Sequence, residues 1–243
     1  MGGGFCDMFN VCTNCGHYRV DKTITQPASV AEISDPDGQV SSRLGTRHAL
    51  ATCPQCGHPH PFLQRPLLLV GGASATGKTT ILQELTGQFT DAVLLEADLL
   101  WLEEFQDPTD GYPRFKETWL RMAKNIGQSG RPVALFGAGL AVPENIEQCV
   151  ERRYFSQTHY LALVCDEVEL RRRLQARPAW RKSAQPEELA AQLDFNRWLR
   201  TEGPSQAPPV TILDTTFAPV EESAAAVANW MELVLALEPP RPK

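Results

Sequence analysis

Eight residues, Gly72-Ala73-Ser74-Ala75-Thr76-Gly77-Lys78-Thr79, carry the spacing G-x-x-x-x-G-K-T, and Thr80 continues the run. Each residue type has a use at its place. Glycines let successive backbone N–H groups curl around a polyphosphate. The run Thr80-Ile81-Leu82-Gln83-Glu84-Leu85 reads as a helix, whose first turn adds the positive end of its dipole. A lysine at position 78 sets a point charge against β- and γ-phosphates, and the Thr79 hydroxyl can ligate magnesium. The apolar segment PLLLVG, ending at Gly71, supplies the preceding strand. A glycine-rich turn without a ligand would not need both flanks, so residues 72–80 are expected to bind ATP with Mg2+ at Thr79.

Further along lie side chains that could act on a bound phosphate. The segment Leu94-Leu95-Glu96-Ala97-Asp98 ends a strand-like run with two acids one residue apart, which point the same way on an extended chain. Asp98 could equally cap a helix beginning at Leu99. Aromatic residues Trp101, Phe105, Tyr112 and Trp119 follow, as acceptor-stacking or core side chains. Gly137-Ala138-Gly139 closes a third apolar run, and Gly139 is a candidate for close substrate approach. Arg173 and Arg177 are four apart and share one face of a helix that Pro178 ends, leaving Arg181 on a mobile connection.

A second chemistry belongs to the cysteines. Cys12-Thr13-Asn14-Cys15-Gly16 and Cys53-Pro54-Gln55-Cys56-Gly57 are two CxxCG knuckles. Four thiolates at this spacing suit tetrahedral, structural Zn2+, and each glycine permits the tight knuckle turn. His17, His58 and His60 flank the set, Cys6 has no assigned role, and Cys149 and Cys165 read as core thiols.

These residues need a scaffold. Five short runs, Leu67–Val70, Ala92–Leu95, Val133–Phe136, Tyr160–Cys165 and Val210–Leu213, are apolar on both faces. Helical patterns alternate with them: Thr79–Leu85, Phe115–Ile126, Glu144–Val150, Val168–Ala176, Glu187–Leu199 and Glu221–Leu237. That alternation predicts an α/β domain with a five-stranded parallel sheet and helices on both faces, over residues 66–238. Residues 1–65 resemble a zinc ribbon and are expected as a small module of their own, with a strand at Lys22–Thr25 and a turn at Asp35-Pro36-Asp37-Gly38, and 239–243 are expected as a tail. The 243 residues carry 23 Lys and Arg against 29 Asp and Glu, so the basic excess of a general nucleic-acid binder is missing. No apolar run approaches the roughly 20 residues of a membrane span, and the first ten residues lack the pattern of a secretory signal. An odd cysteine count without such a signal points to a reducing cytoplasm.

With the loop, the acidic strand end and the RLxxR-like arginine segment in view, residues 66–237 resemble the P-loop small-molecule kinases. These are nucleoside and nucleotide kinases and their relatives, of the AAA_33 type. The resemblance implies transfer of the ATP γ-phosphate to a small acceptor, a nucleoside or nucleotide first. It implies Asp98 as the general base, Glu96 as a magnesium-water ligand or helper, and Arg173 and Arg177 as lid residues on the transferring phosphates. The loop after the fifth strand, Asp214-Thr215, would border adenine. Two other readings fit the same residues: a polynucleotide 5′-hydroxyl kinase using the ribbon as a handle, and an ATP-gated interaction module without turnover. Nucleic acid, another protein and the chain's own kinase domain all stay open as contacts of the ribbon.

Overall fold

A computed structural model describes residues 9–26, 48–105 and 111–237. Cys6, the Asp35–Gly38 turn and the 239–243 tail lie outside the described residues.

Two sheets organise the chain. Strands β1 (Thr23–Thr25), β2 (His48–Thr52) and β3 (Pro59–Leu63) form an antiparallel sheet in that order. The larger sheet holds β4 (Leu67–Gly71), β5 (Val93–Glu96), β6 (Val133–Phe136), β7 (Thr158–Val164) and β8 (Val210–Asp214). Its order is β5-β6-β4-β7-β8, and every neighbouring pair is parallel. The most apolar run, β4, lies at the centre with all five residues buried.

The helices are α1 (Lys78–Leu85), α2 (Pro113–Gly127), α3 (Glu144–Glu147), α4 (Glu167–Gln175), α5 (Pro186–Glu202) and α6 (Val220–Ala236). Side chains alternate across β4, so one strand feeds two cores. Leu67 and Leu69 face α2 and the end of α5 through Trp119, Leu120 and Leu199. Leu68 and Val70 face α1 and α6 through Ile81, Val227 and Met231. Truncating Leu69 or Leu68 to alanine would cost about 2–5 kcal/mol, because neither site can collapse around the cavity.

The predicted helix Glu144–Val150 divides in two. Helix α3 ends at Glu147, Cys149 is extended, and a 3-10 segment covers Val150–Tyr154. Two carboxylate oxygens of Glu117, on α2, accept the Val150 and Glu151 amides and hold that second start. No helix begins at Leu99 either. Asp98 sits within a 3-10 turn, Ala97–Leu100, and caps nothing with its side chain.

Candidate functional site

The loop between β4 and α1 takes a shape that only its sequence permits. Gly72 has φ +142°, and a Cβ there would lie 2.3 Å from the Leu163 carbonyl oxygen. Gly77 has φ +102°, and a Cβ there would meet only Ile81 Cδ1 at an ordinary 3.8 Å, so its backbone angle rather than crowding calls for glycine. Ala75 is left-handed at φ +66°, a local strain of about 1–2 kcal/mol that the surrounding loop holds. Thr76 Oγ1 donates to the Ala73 carbonyl at 2.9 Å, and Thr215 Oγ1 donates to the Thr76 carbonyl at 2.9 Å, tying the loop to the end of β8.

A cavity of about 340 Å³ opens over this loop. It is lined by Ser74, Ala75, Gly77, Lys78, Thr79 and Thr80 from the loop and α1. Glu96 and Asp98 enter from the end of β5, and Arg177 and Arg181 from beyond α4. Lys78 Nζ donates to the carbonyls of Gly72 and Ala73, both at 2.8 Å. Although the side chain as a whole is half-buried, its ammonium is enclosed, and that desolvation lowers its pKa to about 8. The Asp98 and Glu96 carboxylates oppose the shift and Arg177 adds to it. Thr79 Oγ1 donates to Glu96 Oε1 at 2.5 Å. A hydroxyl, the adjoining carboxylate and Asp98 in one cavity form the all-oxygen set that a hard cation such as Mg2+ takes.

The arginines divide between two places. Arg177 reaches the cavity over the loop; burial and the Arg181 guanidinium disfavour its charge, and Asp98 supports it. Arg173 does not reach that cavity. Its Nη2 donates to the Thr215 and Thr216 carbonyls, both at 2.8 Å, and its Nε donates to Glu169 at 2.8 Å. It borders a neighbouring cavity of about 230 Å³ with Thr80, Thr215, Ala218 and Ser223. The second arginine lining the cavity over the loop is Arg181. The 3-10 turn Ala179–Arg181, left-handed Lys182 and the buried Ser183 hydroxyl on the Leu174 carbonyl fold it back. The connection is therefore a pinned turn, not a free one.

Gly139 stands outside the cavity, exposed, with its carbonyl taken by Asn145. Gly137 is the close approach instead: a Cβ there would lie 2.7 Å from that of Ala97, and the residue lines the cleft beside Phe136 and Ala138. Trp119 is core, its Nε1 donating to the Ala97 carbonyl at 3.0 Å. Trp101, 44% exposed, packs on Tyr112 and Phe115 near the acidic turn. Gln192, on α5, accepts the Ser74 amide at 2.6 Å, a contact with no local sequence signal.

Residues 67–202 match the profile of the AAA_33 family, described as an AAA domain. The chain belongs to this family. Its AAA_33 region has the P-loop kinase fold, shared with an unliganded sugar kinase from Janibacter sp. HTCC2649 at TM-score 0.51 and 18% identity. That match covers 73% of this chain and 99% of the other. The protein APE1195 aligns at TM-score 0.50 and 17% identity over 71% and 97% of the two chains. A gluconokinase from Sinorhizobium meliloti 1021 aligns at TM-score 0.47 and 17% identity over 72% and 98%. No curated protein sequence matches the chain.

Outside the AAA_33 region, the cysteine knuckles converge. The Sγ atoms of Cys12, Cys15, Cys53 and Cys56 lie within 4.8 Å of one another, with 3.6 Å from Cys12 to Cys56 and 3.9 Å from Cys15 to Cys53. A tetrahedral Zn2+ with bonds near 2.3 Å requires sulfur separations of about 3.8 Å, so the set fits zinc. The two knuckles repeat one geometry. Gly16 and Gly57, at φ +72° and +74°, return their amides to the Cys12 and Cys53 carbonyls. His60 Nε2 lies 3.3 Å from Cys12 Sγ, while His17 and His58 offer their backbone carbonyls to the Cys12 and Cys53 amides. Among the described residues no helix is long and apolar enough to cross a membrane.

Proposed function

We propose that the chain is an ATP- and magnesium-dependent phosphotransferase that moves the γ-phosphate of ATP to a small acceptor, a nucleoside or nucleotide. The observation that carries this is the convergence on one cavity of Lys78, Thr79, two strand-end carboxylates and two arginines from a separate element. A nucleotide binder without transfer has no need for an acid and two arginines facing the lysine.

The triphosphate lies on the loop of residues 72–80, on amides other than those of Gly72 and Ser74, which donate to the Ala138 carbonyl and to Gln192, with Lys78 Nζ moving from its own loop carbonyls to the β- and γ-phosphates. Thr79, with Glu96 beside it, would hold Mg2+, which would supply charge neutralisation to the polyphosphate. Asp98 accepts the acceptor's hydroxyl proton. The acceptor oxygen bonds to the γ-phosphorus as the bond to the β-phosphate oxygen breaks, and ADP leaves. Arg177 and Arg181 meet the charge of the transferring group, as guanidinium groups bind phosphate oxygens in pairs. Adenine occupies the second cavity, where the Arg173 plane and the Thr215 loop flank it. Exposed Trp101 offers a planar acceptor a stacking face. The four-thiolate site leaves no open position, so its Zn2+ is structural. A four-thiolate zinc site and the unbridged thiols of Cys149 and Cys165 suit a reducing compartment, and the cytoplasm is the proposed location.

The test is γ-phosphate transfer from labelled ATP with zinc-loaded protein and Mg2+. Acceptors are nucleosides, nucleoside monophosphates, sugars, 5′-hydroxyl oligonucleotides and a blank. Transfer to nucleosides or monophosphates, lost in Lys78→Ala and Asp98→Asn, is expected. ATP binding without transfer to any acceptor would overturn the reading and favour an ATP-gated module. Transfer to oligonucleotides alone would favour a nucleic-acid end kinase.

A further inference from the structure

The ribbon sheet does not stand free. Tyr154, from the 3-10 segment that precedes β7, is buried in one apolar cluster with Ala49, Ala51 and Phe62 of β2 and β3. Its hydroxyl donates to the Val20 carbonyl at 2.7 Å. Gln128, at the end of α2, bonds both the amide and the carbonyl of Leu63.

At the centre of this seam is a buried charge pair. Lys124 Nζ on α2 lies 2.7 Å from Glu151 Oε2, and both side chains are 1% exposed. Arg121 Nε, also on α2, donates to Glu151 Oε1 at 3.1 Å, and Asn10, two residues before the proposed zinc ligand Cys12, bonds both partners of the pair. Its Oδ1 accepts from Lys124 at 2.8 Å and its Nδ2 donates to Glu151 Oε1 at 3.1 Å. The Phe9 and Tyr154 rings cover the ammonium, each centroid 4.4 Å away. A buried ion pair is tolerable only while its remaining hydrogen bonds are made, and Asn10 makes one to each partner.

The pair connects to the acidic side of the cleft through a single helix. Helix α2 carries Lys124, carries Glu117 on the Val150 and Glu151 amides, and carries Trp119 on the Ala97 carbonyl, one residue before Asp98. We propose that the ribbon is an intramolecular brace for α2: zinc binding and the Lys124–Glu151 pair stabilise each other, so that metal loss loosens the turn bearing Asp98. The ribbon's occupant is then the chain's own kinase domain. This linkage concerns folding and holds whatever the acceptor.

Linkage is reciprocal, so it can be read from the kinase side. Zinc affinity of the full chain is measured by competition with a chromophoric chelator. Glu151→Ala, remote from the thiolates, should lower it about 5- to 150-fold, the range of coupled sites. Tyr154→Phe, a milder change that keeps the core, should lower it about 2- to 10-fold through loss of one hydrogen bond. Arg197→Ala, at an exposed ion pair on α5, should leave it unchanged. In the opposite direction, stripping zinc from the wild-type chain should speed amide exchange in 150–154, 113–127 and 97–101 by tenfold or more, about what the loss of one seam contact gives. Exchange in 72–85 should hardly move. Faster exchange confined to 9–26 and 48–63, or folded Glu151→Ala and Tyr154→Phe proteins with wild-type zinc affinity, would overturn the brace. If Glu151→Ala fails to fold, Tyr154→Phe and the zinc-stripping experiment decide.

Discussion

Thr79 Oγ1 donates to Glu96 Oε1 at 2.5 Å, joining the first turn of α1 to the end of the neighbouring strand β5. The hydroxyl thus has a fixed direction before any cation arrives, and the carboxylate that fixes it stands beside the same oxygen. A charged acceptor of this kind is worth more than a neutral one, about 1.5–3 kcal/mol. Glu96→Gln should therefore raise the Mg2+ needed for half-maximal transfer by about tenfold, with the maximal rate reached at saturating metal. Thr79→Ser should behave as wild type. A magnesium titration at fixed ATP checks both, and an unchanged midpoint in Glu96→Gln would remove Glu96 from the metal site.

Lys78 makes a pH prediction with a definite sign. Its ordinary value is 10.5, and enclosure of the ammonium lowers it to about 8. Between those limits the unfolded chain holds a proton that the folded chain has released, so this group's contribution to stability grows as pH rises from about 8 towards 10.5. Bound phosphates restore the charge. ATP binding should then take up close to one proton at pH about 9 and almost none at pH about 7, a difference that Lys78→Ala abolishes. Calorimetry in two buffers of different ionisation enthalpy measures it. Equal proton uptake at both pH values would show that the lysine is not the group that titrates.

The three arginines should separate kinetically. Arg177→Ala and Arg181→Ala should each lower kcat by about 10²- to 10³-fold with little change in the KM for ATP, because their charge is needed as the phosphoryl group moves. Arg173→Ala should act on nucleotide binding and stability, since its guanidinium is engaged with the Thr215 and Thr216 carbonyls. Steady-state kinetics with ATP varied at saturating acceptor separates the two patterns. A kcat loss in Arg173→Ala as large as in Arg177→Ala would return Arg173 to the transferring phosphates.

What the sequence made legible follows the range of the interactions involved. The phosphate loop, the five strands and each cysteine knuckle depend on neighbours a few residues away, and their spacing alone announces them. The shared helical face expected of Arg173 and Arg177 does not form: α4 ends at Gln175 and Arg177 lies in the bend before Pro178, because the residue before a proline is pushed out of helical geometry. Which end of the cleft each reaches depends on how α4 lies against the end of β8, and no helical period encodes that. Arg181 was visible only as a residue after a proline; the Ser183 hydroxyl that folds its turn back is a buried tertiary contact. The choice of Gly137 over Gly139 turns on the approach of Ala97 from the 3-10 turn after β5. Asn10 and Glu151 meet across 141 residues, and neither belongs to a motif.

Gln192 is the residue for which that distance matters most to the site. Its Oε1 accepts the Ser74 amide at 2.6 Å, while its Nε2 donates to Glu188 Oε1 at 2.8 Å, which orients the amide group. The Ser74 N–H is thereby engaged by protein, so helix α5 steadies the upper arm of the phosphate loop next to strained Ala75. Removing one such bond costs about 0.5–1.5 kcal/mol. Gln192→Ala should accordingly weaken ATP and ADP alike by about 2- to 10-fold, with the melting point lowered slightly. Gln192→Glu keeps the acceptor but adds a charge facing the polyphosphate, and should weaken ATP more than ADP. Titration of both nucleotides against the three proteins decides the matter. Tighter ATP binding in Gln192→Ala would mean that the glutamine competes with the γ-phosphate for the Ser74 amide.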